Sequence, residues 1–411
     1  MGVRLLHLAD LHFGMENYGR LDPASGLNRR LLDFARSTHY AIDYALEHGV
    51  HLALFAGDIY KHREPDPSWQ REFARCVRRL VEARVPVVIL VGNHDLPNTL
   101  GKANAVEIFD TLELPGVTVI SKPVLHRLDT PAGPVQVAGL PYLTRSFLLS
   151  REQYKDLPLE EVNRLLVEKG EEMLRWLAEQ VNPALPAILT VHGSVMGAVL
   201  SSEQSIMLVG HDPILPLSAL TNPVWDYVAL GHIHRHQDLN PGGQPPVVYA
   251  GSLERIDFGE EHEEKGFVWA EVEKGHTTYT FVPTPARPFV TLRLDARQGD
   301  PLALLEQELA RRDITGAVVR VLLTVTPEQS AAIDERRLRE RLHAAYLVAG
   351  IVKEEVKAAP RTRDAQLTEA LGPLEALERY LRHHPQYAPR QQALLARAQQ
   401  LLQELAEELA L

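Results

Sequence analysis

The feature that most constrains the fold is a repeated unit in which a short apolar run ends in polar side chains. The runs are rich in β-favouring residues and occupy 3–8, 52–56, 85–91, 188–191 and 228–230. The clusters that follow them are Asp10-Leu11-His12, Gly57-Asp58, Gly92-Asn93-His94-Asp95, His192-Gly193 and Gly231-His232-Ile233-His234. Buried strands of α/β sheets have such runs, and the loops at one sheet end carry the functional groups. We therefore expect these clusters to meet at one end of a buried sheet.

Amphipathic segments separate the early runs. Residues 28–47, 69–81 and 160–178 carry apolar side chains at helical spacing. Strand, helix and strand in this order predict right-handed crossovers and a mainly parallel sheet. Residues 135–138, 247–250, 266–272 and 277–282 have the pattern of shorter strands without long helices between them. We expect these four segments to form a second, more antiparallel sheet packed on the first.

Prolines and changes of composition divide the chain further. A chain of 411 residues is too long for one ordinary core, so two or three domains are expected. Pro283, Pro285 and Pro288 mark a boundary, because proline removes a ladder donor and restricts the residue before it. The overall prediction is an α/β fold with a two-sheet β-sandwich flanked by helices at 1–285, a small α+β capping domain at 286–358 and a C-terminal helical hairpin at 359–411. The hairpin has more apolar face than it can bury alone.

The charge balance and the cysteine count limit the class of protein. Lysine and arginine number 43 against 54 acidic residues, a net charge of −11, which argues against a freely diffusing cationic DNA-binding protein. It does not exclude a nucleic acid substrate, because metal ions neutralise a carboxylate-rich site locally. The single cysteine, Cys76, permits no internal disulfide, and no apolar run reaches membrane-spanning length. We therefore expect a cytoplasmic protein.

The polar clusters carry the donor atoms of a binuclear metal centre. Side chains two residues apart in an extended chain point the same way, so each pair of the type Asp-x-His or His-x-His can converge. Imidazole, carboxylate and amide donors without thiolate favour Mn²⁺, Fe²⁺ or Zn²⁺ over Ca²⁺. Asp58 would bridge the two ions. The predicted ligands are Asp10, His12, Asp58 and His234 at the first ion and Asp58, Asn93, His192 and His232 at the second.

Such a centre suits phosphoryl transfer. Two cations roughly 3.5–4 Å apart lower the pKa of a shared water and clamp the attacking and leaving oxygens. We expect His94 to act as general acid or transition-state stabiliser, with an effect on rate of roughly 10²–10⁴. Asp95 is expected to orient His94 or to hold its protonated form. Taken singly, His192 would more often be a structural histidine and Gly57-Asp58 a turn, but their joint occurrence after predicted strands favours the metal centre.

The motif set resembles that of the calcineurin-like metallophosphoesterases. The matching patterns are Asp-x-His, Gly-Asp-x-Tyr, Gly-Asn-His-Asp, His-Gly and Gly-His-x-His. Residues 6–14, 26–30, 57–60 with Pro65 soon after, and 250–255 are further similar to the bacterial SbcD nucleases. These are the counterparts of the eukaryotic meiotic-recombination-eleven nuclease. The similarity extends over the predicted capping domain and the C-terminal hairpin.

The resemblance implies a nuclease that processes DNA ends in double-strand break repair, with two Mn²⁺ ions, or Fe²⁺, Mg²⁺ or Zn²⁺ in their place. It implies 3′→5′ exonuclease activity on duplex DNA and endonuclease activity on single strands or hairpins, with His94 matching the catalytic histidine. The implied partner is an SbcC-type ATPase, whose coiled-coil base the hairpin would grip. The phosphoesterase domains would form a homodimer within a heterotetramer, the capping domain would bind DNA, and the protein would be nucleoid-associated.

Contacts to DNA are expected from basic and polar side chains close to the motifs. They are Arg20, Asn28, Arg29, Lys61, His62 and Arg255. Arg30 could contact phosphate as well, and a solvated helix start explains Arg20, Asn28, Arg29 and Arg30 equally well. His62 is equally compatible with a surface role. Lys61 departs from the relatives, which carry His or Asp directly after the aromatic residue of the Gly-Asp motif.

Two other functions stay open at the level of sequence. A small-molecule phosphodiesterase of the same superfamily would turn over a cyclic nucleotide or nucleotide sugar without cleaving DNA, but it would leave the C-terminal modules unexplained. A non-catalytic architectural subunit would have an empty metal centre, against which the intact ligand set speaks.

Overall fold

The computed structural model describes residues 2–97, 101–145, 157–200, 212–356, 373–382 and 385–408 of the chain. In chain order the described strands are β1 (Val3–Leu8), β2 (Leu52–Phe55), β3 (Val87–Leu90), β4 (Val117–Ile120), β5 (Val124–Thr130), β6 (Gly133–Leu140), β7 (Ala187–His192), β8 (Ser194–Val195), β9 (Ile214–Leu215), β10 (Tyr227–Gly231), β11 (Gln237–Asp238), β12 (Val247–Tyr249), β13 (Gly266–Glu273), β14 (His276–Pro283), β15 (Phe289–Asp295), β16 (Val318–Val325) and β17 (Leu347–Glu355). The described α-helices are α1 (Arg29–Glu47), α2 (Pro67–Glu82), α3 (Ile108–Thr111), α4 (Leu159–Glu179), α5 (Pro301–Leu309), α6 (Pro327–Ala332), α7 (Glu335–Arg341), α8 (Pro373–Arg382) and α9 (Gln391–Glu408).

The first sheet has six strands in the order β14-β13-β1-β2-β3-β4. Strands β1 to β4 are parallel. β13 pairs antiparallel with β1, and β14 pairs antiparallel with β13 at the edge of the sheet. Helices α1 and α2 cover the outer face, where Leu31 and Phe73 pack with Leu6, Phe55 and Ile89. Alternate residues along each strand therefore face the helices or the interior of the sandwich.

The second sheet also has six strands, in the order β11-β12-β10-β7-β6-β5. The four central strands are parallel, and β5 and β11 pair antiparallel at the edges. Helix α4 covers its outer face through Leu174 and Leu177, which pack with Leu189 and Leu230. The two sheets thus form a sandwich with helices on both outer faces.

A single apolar core fills the space between the two sheets. Inward-facing side chains of the first sheet, such as Leu5, Leu54 and Leu90, pack with Val137 and Ile188 of the second. Each burial of a side chain of this size contributes about 1.5–3 kcal/mol. This core holds the two sheets face to face and brings their strand ends together.

The predicted two-sheet β-sandwich flanked by helices is confirmed, but the expected division of strands was wrong. We expected the later short strands to form the second sheet, whereas β13 and β14 join the first one. Strands β7 and β10 lie at the centre of the second sheet, which is mainly parallel. An apolar run shows that a strand is buried on both faces, but it does not show which strand lies beside it.

Polar caps begin the helices that follow the first two ligand loops. The side chain of Asn28 accepts a hydrogen bond from the N–H of Arg30, and Asp66 accepts one from Ser68 ahead of α2. Pro67 occupies the first turn of α2, where its missing N–H costs nothing. These caps fix the points at which the chain leaves the sheet edge.

The segment after residue 285 forms the predicted small α+β arrangement. Strands β15, β16 and β17 form a three-stranded sheet in that order. Helix α5 packs on β15, and the buried side chains of Leu292, Leu305 and Val319 belong to this core. The fold class of this segment therefore agrees with the prediction.

A buried ionic cluster links α1 to the segments at 254–255 and 287. The guanidinium of Arg30, which is fully buried, lies 3.1 Å from Asp33 and 3.4 Å from Glu254. Arg287 donates to Asp33 at 2.6 Å, and Ser37 donates to Glu254 at 2.7 Å. Each carboxylate therefore has several donors, which is the condition under which buried charges are stable.

We expect Arg30→Met to lower the free energy of unfolding by about 3–5 kcal/mol, because it takes the guanidinium from the buried Glu254 and one of three from Asp33. Arg36→Met is the matched control, since Arg36 also contacts Asp33, at 3.0 Å, but is 54% exposed. The control should cost less than about 1 kcal/mol. Urea denaturation of both variants measures the difference, and equal losses would refute this account of the cluster.

The chain divides into two compact units. One comprises Met1–Leu323 with Asp334–Val352, and the other comprises Thr324–Ile333 with Lys353–Leu411. In the second unit α8 and α9 contact each other, as the predicted hairpin requires, while 359–372, 383–384 and 409–411 of the hairpin range lie outside the described residues. The predicted domain boundaries stay predictions. None of the described helices has the length and apolar character needed to cross a bilayer.

Candidate metal centre

The predicted ligands lie at the carboxyl ends of strands from both sheets. In the first sheet, Asp10 and His12 follow β1, Asp58 follows β2, and Asn93 follows β3. In the second sheet, β7 ends in His192, while His232 and His234 follow β10. A hydrogen bond joins the two edges, because the backbone N–H of His232 donates to the carboxylate of Asp10 at 2.9 Å. Both sheets of the sandwich therefore contribute to one cluster.

One group of donor atoms converges around His12. Its Nε2 lies 3.0 Å from Nε2 of His234 and 3.9 Å from Oδ2 of Asp58. Asp10, His12 and His234 each present a donor atom within 4.8 Å of the others. The structure thus brings together the four side chains predicted for the first ion.

A second group converges around Asn93. Its Oδ1 is 3.1 Å from Nε2 of His192 and 3.0 Å from Nδ1 of His232. Nε2 of His192 also lies 3.3 Å from Oδ1 of Asp58. Oδ1 of Asp58 therefore faces His192, while Oδ2 faces His12. Two oxygens directed at two groups of imidazoles are what a carboxylate shared by two ions would present.

The chemistry of the donors fits divalent cations of intermediate hardness. The converging groups are imidazoles, carboxylates and an amide, and both carboxylates are almost completely buried. Burial alone would raise the pKa of Asp58, but the imidazoles of His192 and His94 outweigh it and hold this pKa well below its usual value. Burial likewise opposes protonation of His192, yet Asp58 raises the pKa of His192 to about 9. The buried negative charge of the site thus attracts positive charge strongly.

The backbone at the ligands is strained. Seven described residues other than glycine have positive φ, and four of them are Asp10, His12, Asp58 and His232. This left-handed region costs an ordinary side chain about 1–2 kcal/mol. Strain of this kind persists where the surroundings determine the conformation, and it concentrates at functional sites. The fold therefore holds these ligands in directions that an unconstrained chain would avoid.

Gly57 allows the first two ligand loops to approach His192. It has a φ of +96°, and a Cβ at this position would collide with the ring of His192. A side chain here would meet both a backbone penalty and a steric one. The glycine of the Gly-Asp motif is therefore required by the packing of the centre.

We expect Gly57→Ala to cost more stability than Gly116→Ala. Both residues have positive φ, but a Cβ at Gly116 would meet nothing within 4 Å. The excess should be about 1–3 kcal/mol, the usual penalty of overpacking. Urea denaturation of the two metal-free variants measures it. Equal losses would mean that the collision with His192 is relieved at no cost.

An oxygen acceptor holds the far side of three ligand histidines, those at 192, 232 and 234, whereas the buried Nδ1 of His12 has no hydrogen-bond partner. Nδ1 of His192 lies 2.7 Å from the carbonyl of Ala56. Nε2 of His232 lies 2.6 Å from Asp212, and Nδ1 of His234 lies 2.7 Å from Glu260. Such acceptors fix the tautomer of a metal-binding imidazole and direct its other nitrogen at the ion.

Sequence analysis missed both of these carboxylates. Asp212 also accepts from Tyr142 at 2.7 Å and Ser194 at 2.8 Å, and Glu260 also accepts from Lys265 at 2.9 Å. The only available signal was general, since a metal-binding histidine usually has an acceptor for its second nitrogen. No fixed spacing connects an acceptor to its histidine.

The orientation of His94 differs from the prediction. We expected Asp95 to orient this ring, but its Nδ1 lies 2.9 Å from the backbone carbonyl of Lys61. The carboxylate of Asp95 instead accepts hydrogen bonds from the amides of Gly92 and Ile59, at 3.0 and 3.1 Å. Adjacent side chains in a turn point in different directions, so Asp95 ties two loops together instead of contacting His94.

His94 occupies the edge of the centre. Its Nε2 lies 4.0 Å from Oδ2 of Asp58, and its side chain is 35% exposed. Burial lowers the pKa of His94, while the Asp58 carboxylate opposes this effect. The ring is thus placed between the converging ligands and solvent, where a bound substrate would meet it.

A groove of about 680 Å³ opens beside His94 and Asn93. Its walls include Lys61, His62, Arg63 and Lys102, so it is basic in a chain of net negative charge. Glu64 also lines the groove, 3.9 Å from Lys102. Two of the predicted substrate contacts, Lys61 and His62, therefore lie next to the centre.

The other predicted contacts have different positions. Asn28 caps α1, and Arg29 lies 3.3 Å from Asp22. The guanidinium of Arg255 donates to the carbonyls of Arg287 and Glu263, which gives it a structural role. Arg20 is exposed, and its carbonyl accepts from the N–H of Arg29.

Comparison with known proteins gives one family and several relatives. The family described as calcineurin-like phosphoesterase matches residues 3–236. The SbcD chain of the nuclease SbcCD from Escherichia coli K12 is 29% identical over 264 residues, which are 63% of this chain and 62% of that protein, so less than two thirds of its length is covered. The protein of the same name from Rhodobacter capsulatus is 28% identical over 316 residues, 73% of each chain. The DNA double-strand break repair protein Mre11 of Archaeoglobus fulgidus is 24% identical over 357 residues, 82% of this chain and 71% of that one.

Proposed function

Because the chain belongs to the calcineurin-like phosphoesterase family, we propose that it is a two-metal DNA nuclease. The observation that carries the proposal is the position of Asp58, whose two carboxylate oxygens face separate groups of histidines. The ions proposed are Mn²⁺, with Fe²⁺, Mg²⁺ or Zn²⁺ as alternatives. The reaction proposed is hydrolysis of the DNA backbone, as 3′→5′ exonuclease on duplex and as endonuclease on single strands and hairpins. The names of the relatives support DNA as the substrate.

The residues that would hold the ions are the seven ligands described above. When bound, two divalent ions would lower the pKa of a water and offset the charge of the phosphate. Asp58 connects the two groups of ligands, and Asn93 contacts both histidines of the second group. With Nδ1–H donating to the carbonyl of Lys61, the doubly protonated ring of His94 would carry its second proton on Nε2. It would give that proton to the leaving oxygen of the sugar and return to the neutral ring. The residues of the chain thus supply orientation and acid catalysis.

The basic groove supports a charged polymer as substrate. Lys61, Arg63 and Lys102 line it directly beside His94, and cationic side chains along a groove contact successive phosphates. A small-molecule phosphodiesterase would instead enclose its substrate in a mostly apolar pocket. We therefore rank the nuclease above the small-molecule enzyme.

Degradation of linear duplex DNA in the presence of Mn²⁺ tests the proposed function. We expect shortening of a 5′-labelled duplex by the purified chain, and no shortening with a chelator present. A cyclic nucleotide offered under the same conditions tests the alternative enzyme. Turnover of the cyclic nucleotide with intact DNA would replace the nuclease proposal by the alternative. Failure to bind any metal would favour the architectural subunit.

An SbcC-type ATPase is the proposed partner, in a complex of two copies of each chain. The capping domain at 286–358 would contact DNA and the hairpin at 359–411 would bind the ATPase. Support comes from α9, where Leu394 and Leu401 are 40% and 49% exposed, an apolar face available for another helix. A cytoplasmic, nucleoid-associated location would follow from these partners.

Deletion of 361–411 is expected to abolish co-purification with such an ATPase, because it removes the apolar face. Hydrolysis of a simple phosphodiester should be unchanged, since the deletion spares every proposed ligand. Pull-down of the ATPase and a colorimetric phosphodiester assay measure the two properties. Undiminished co-purification would contradict the assignment of the hairpin.

A further inference from the structure

One buried lysine is not explained by the ligand set. Lys265 lies directly before β13, the strand that pairs with β1, and its side chain has no exposed surface. A buried ammonium is costly unless each of its donors finds an acceptor. Lys265 meets this condition, because Nζ lies 2.9 Å from Glu260, 2.8 Å from Glu263 and 3.0 Å from the carbonyl oxygen of His234.

Two of these contacts complete a closed set of hydrogen bonds around His234. Oε1 of Glu260 lies 2.7 Å from Nδ1 of the His234 ring, while Oε2 of Glu260 lies 2.9 Å from Lys265. Lys265 in turn donates to the backbone carbonyl of His234. The side chain and the backbone of one proposed ligand are thus fixed by the same ion pair. Glu260 is held further by the N–H of Ile256 at 2.9 Å.

We propose that the Glu260–Lys265 pair positions His234 and thereby sets the affinity of the first metal site, an inference that rests on the proposed function. Glu260 fixes the ring tautomer that directs Nε2 towards His12. Lys265 balances the charge of Glu260 and fixes the backbone that carries the ring. Neither residue belongs to the ligand set, so both act through His234. Loss of such an outer contact typically weakens metal binding 10–100-fold.

The second metal site provides an internal reference. One of its two histidines, His232, is held by Asp212, which accepts from the hydroxyls of Tyr142 and Ser194 and does not depend on Lys265 for its bonds. Disruption of the Glu260–Lys265 pair should therefore lower the affinity for the first ion and leave the affinity for the second unchanged. A general loss of structure would lower both affinities.

The experiment titrates the metal-free full chain with Mn²⁺ and follows it by calorimetry and by electron paramagnetic resonance. Wild type should bind two ions and show the spectrum of a spin-coupled pair. In the variant Glu260→Gln with Lys265→Met, which removes both buried charges together, one ion should bind 10–100-fold more weakly. At one equivalent of Mn²⁺ the resonance spectrum of this variant should be that of an isolated ion. The calorimetric affinity for that ion should equal the wild-type value. Glu260→Gln alone is the second variant, and it should lower the affinity for the same ion. It provides the test if the double variant does not fold.

Glu263→Gln is the matched control, because it changes another partner of Lys265 and leaves the hydrogen bonds around His234 in place. It should bind both ions as wild type does. Two ions of wild-type affinity in the Glu260→Gln variant, or equal weakening by Glu263→Gln, would overturn the proposal and leave the nuclease proposal intact. A wild-type chain that binds no pair of ions would overturn the proposed function itself.

Discussion

Replacement of Asp58 by alanine is expected to reduce metal-dependent DNA hydrolysis at least about 10³-fold. The two oxygens of this carboxylate face both groups of ligands, so the change removes a ligand from each ion. Loss of several kcal/mol of transition-state stabilisation corresponds to such a factor. The rate of hydrolysis by Asp58→Asn should fall almost as far, because the amide keeps the shape of the side chain but not its charge. Initial rates on labelled duplex DNA with Mn²⁺ measure the effect.

The control for Asp58 is an aspartate outside the centre. Asp129 is exposed on β5, and Asp129→Asn should retain wild-type activity and metal content. Metal analysis together with circular dichroism of the variants separates loss of ions from loss of folding. An Asp58→Ala protein that is folded, holds two ions and cleaves DNA at the wild-type rate would contradict the bridging role.

Replacement of His94 should have a different signature. In His94→Gln we expect the rate of cleavage to fall roughly 10²–10⁴-fold while two Mn²⁺ ions stay bound, because we propose that the ring serves as an acid and not as a ligand. Its Nε2 lies 4.0 Å from Asp58, at the exposed edge of the centre. Single-turnover cleavage and calorimetric titration with Mn²⁺ measure the two properties.

His126→Gln is the matched control for His94. This histidine lies half-buried on β5, and its replacement should change neither cleavage nor metal binding. A substrate with a better leaving group should recover much of the activity of His94→Gln, since it no longer needs a proton donor. Loss of metal in His94→Gln, or absence of that recovery, would argue that His94 is a ligand or a structural residue.

The residues of the centre were predictable because coordination chemistry limits which side chains can take part. Asp10, Asp58, Asn93 and His232 each follow an apolar run, and strand ends at one sheet edge come together in space. The structure brings them together across two sheets. Sequence patterns gave the strands themselves, since burial on both faces requires continuous apolar residues.

The pairing of the strands was not predictable from the same patterns. β13 lies beside β1 in the first sheet, although it follows all strands of the second sheet in the sequence. Its alternating buried and exposed residues resemble those of any half-covered strand. The choice of neighbour depends on the complete packing of the core, which no local segment contains.

The partners of the ligands also escape local analysis. Glu260 lies 26 residues after His234, and Asp212 lies 20 residues before His232, so the two acceptors follow no common spacing. The error for Asp95 has the same origin, because proximity in sequence was taken for contact. Contacts of polar side chains are set by the course of the backbone in the loops, which apolar periodicity does not describe.

Crystals of the chain soaked with Mn²⁺ and measured at the manganese absorption edge test the central claim most directly. The account predicts two anomalous peaks roughly 3.5–4 Å apart, one on each side of the Asp58 carboxylate. One peak is expected beside His12 and His234, the other beside Asn93, His192 and His232. A single ion, or two ions that do not share Asp58, would contradict the account.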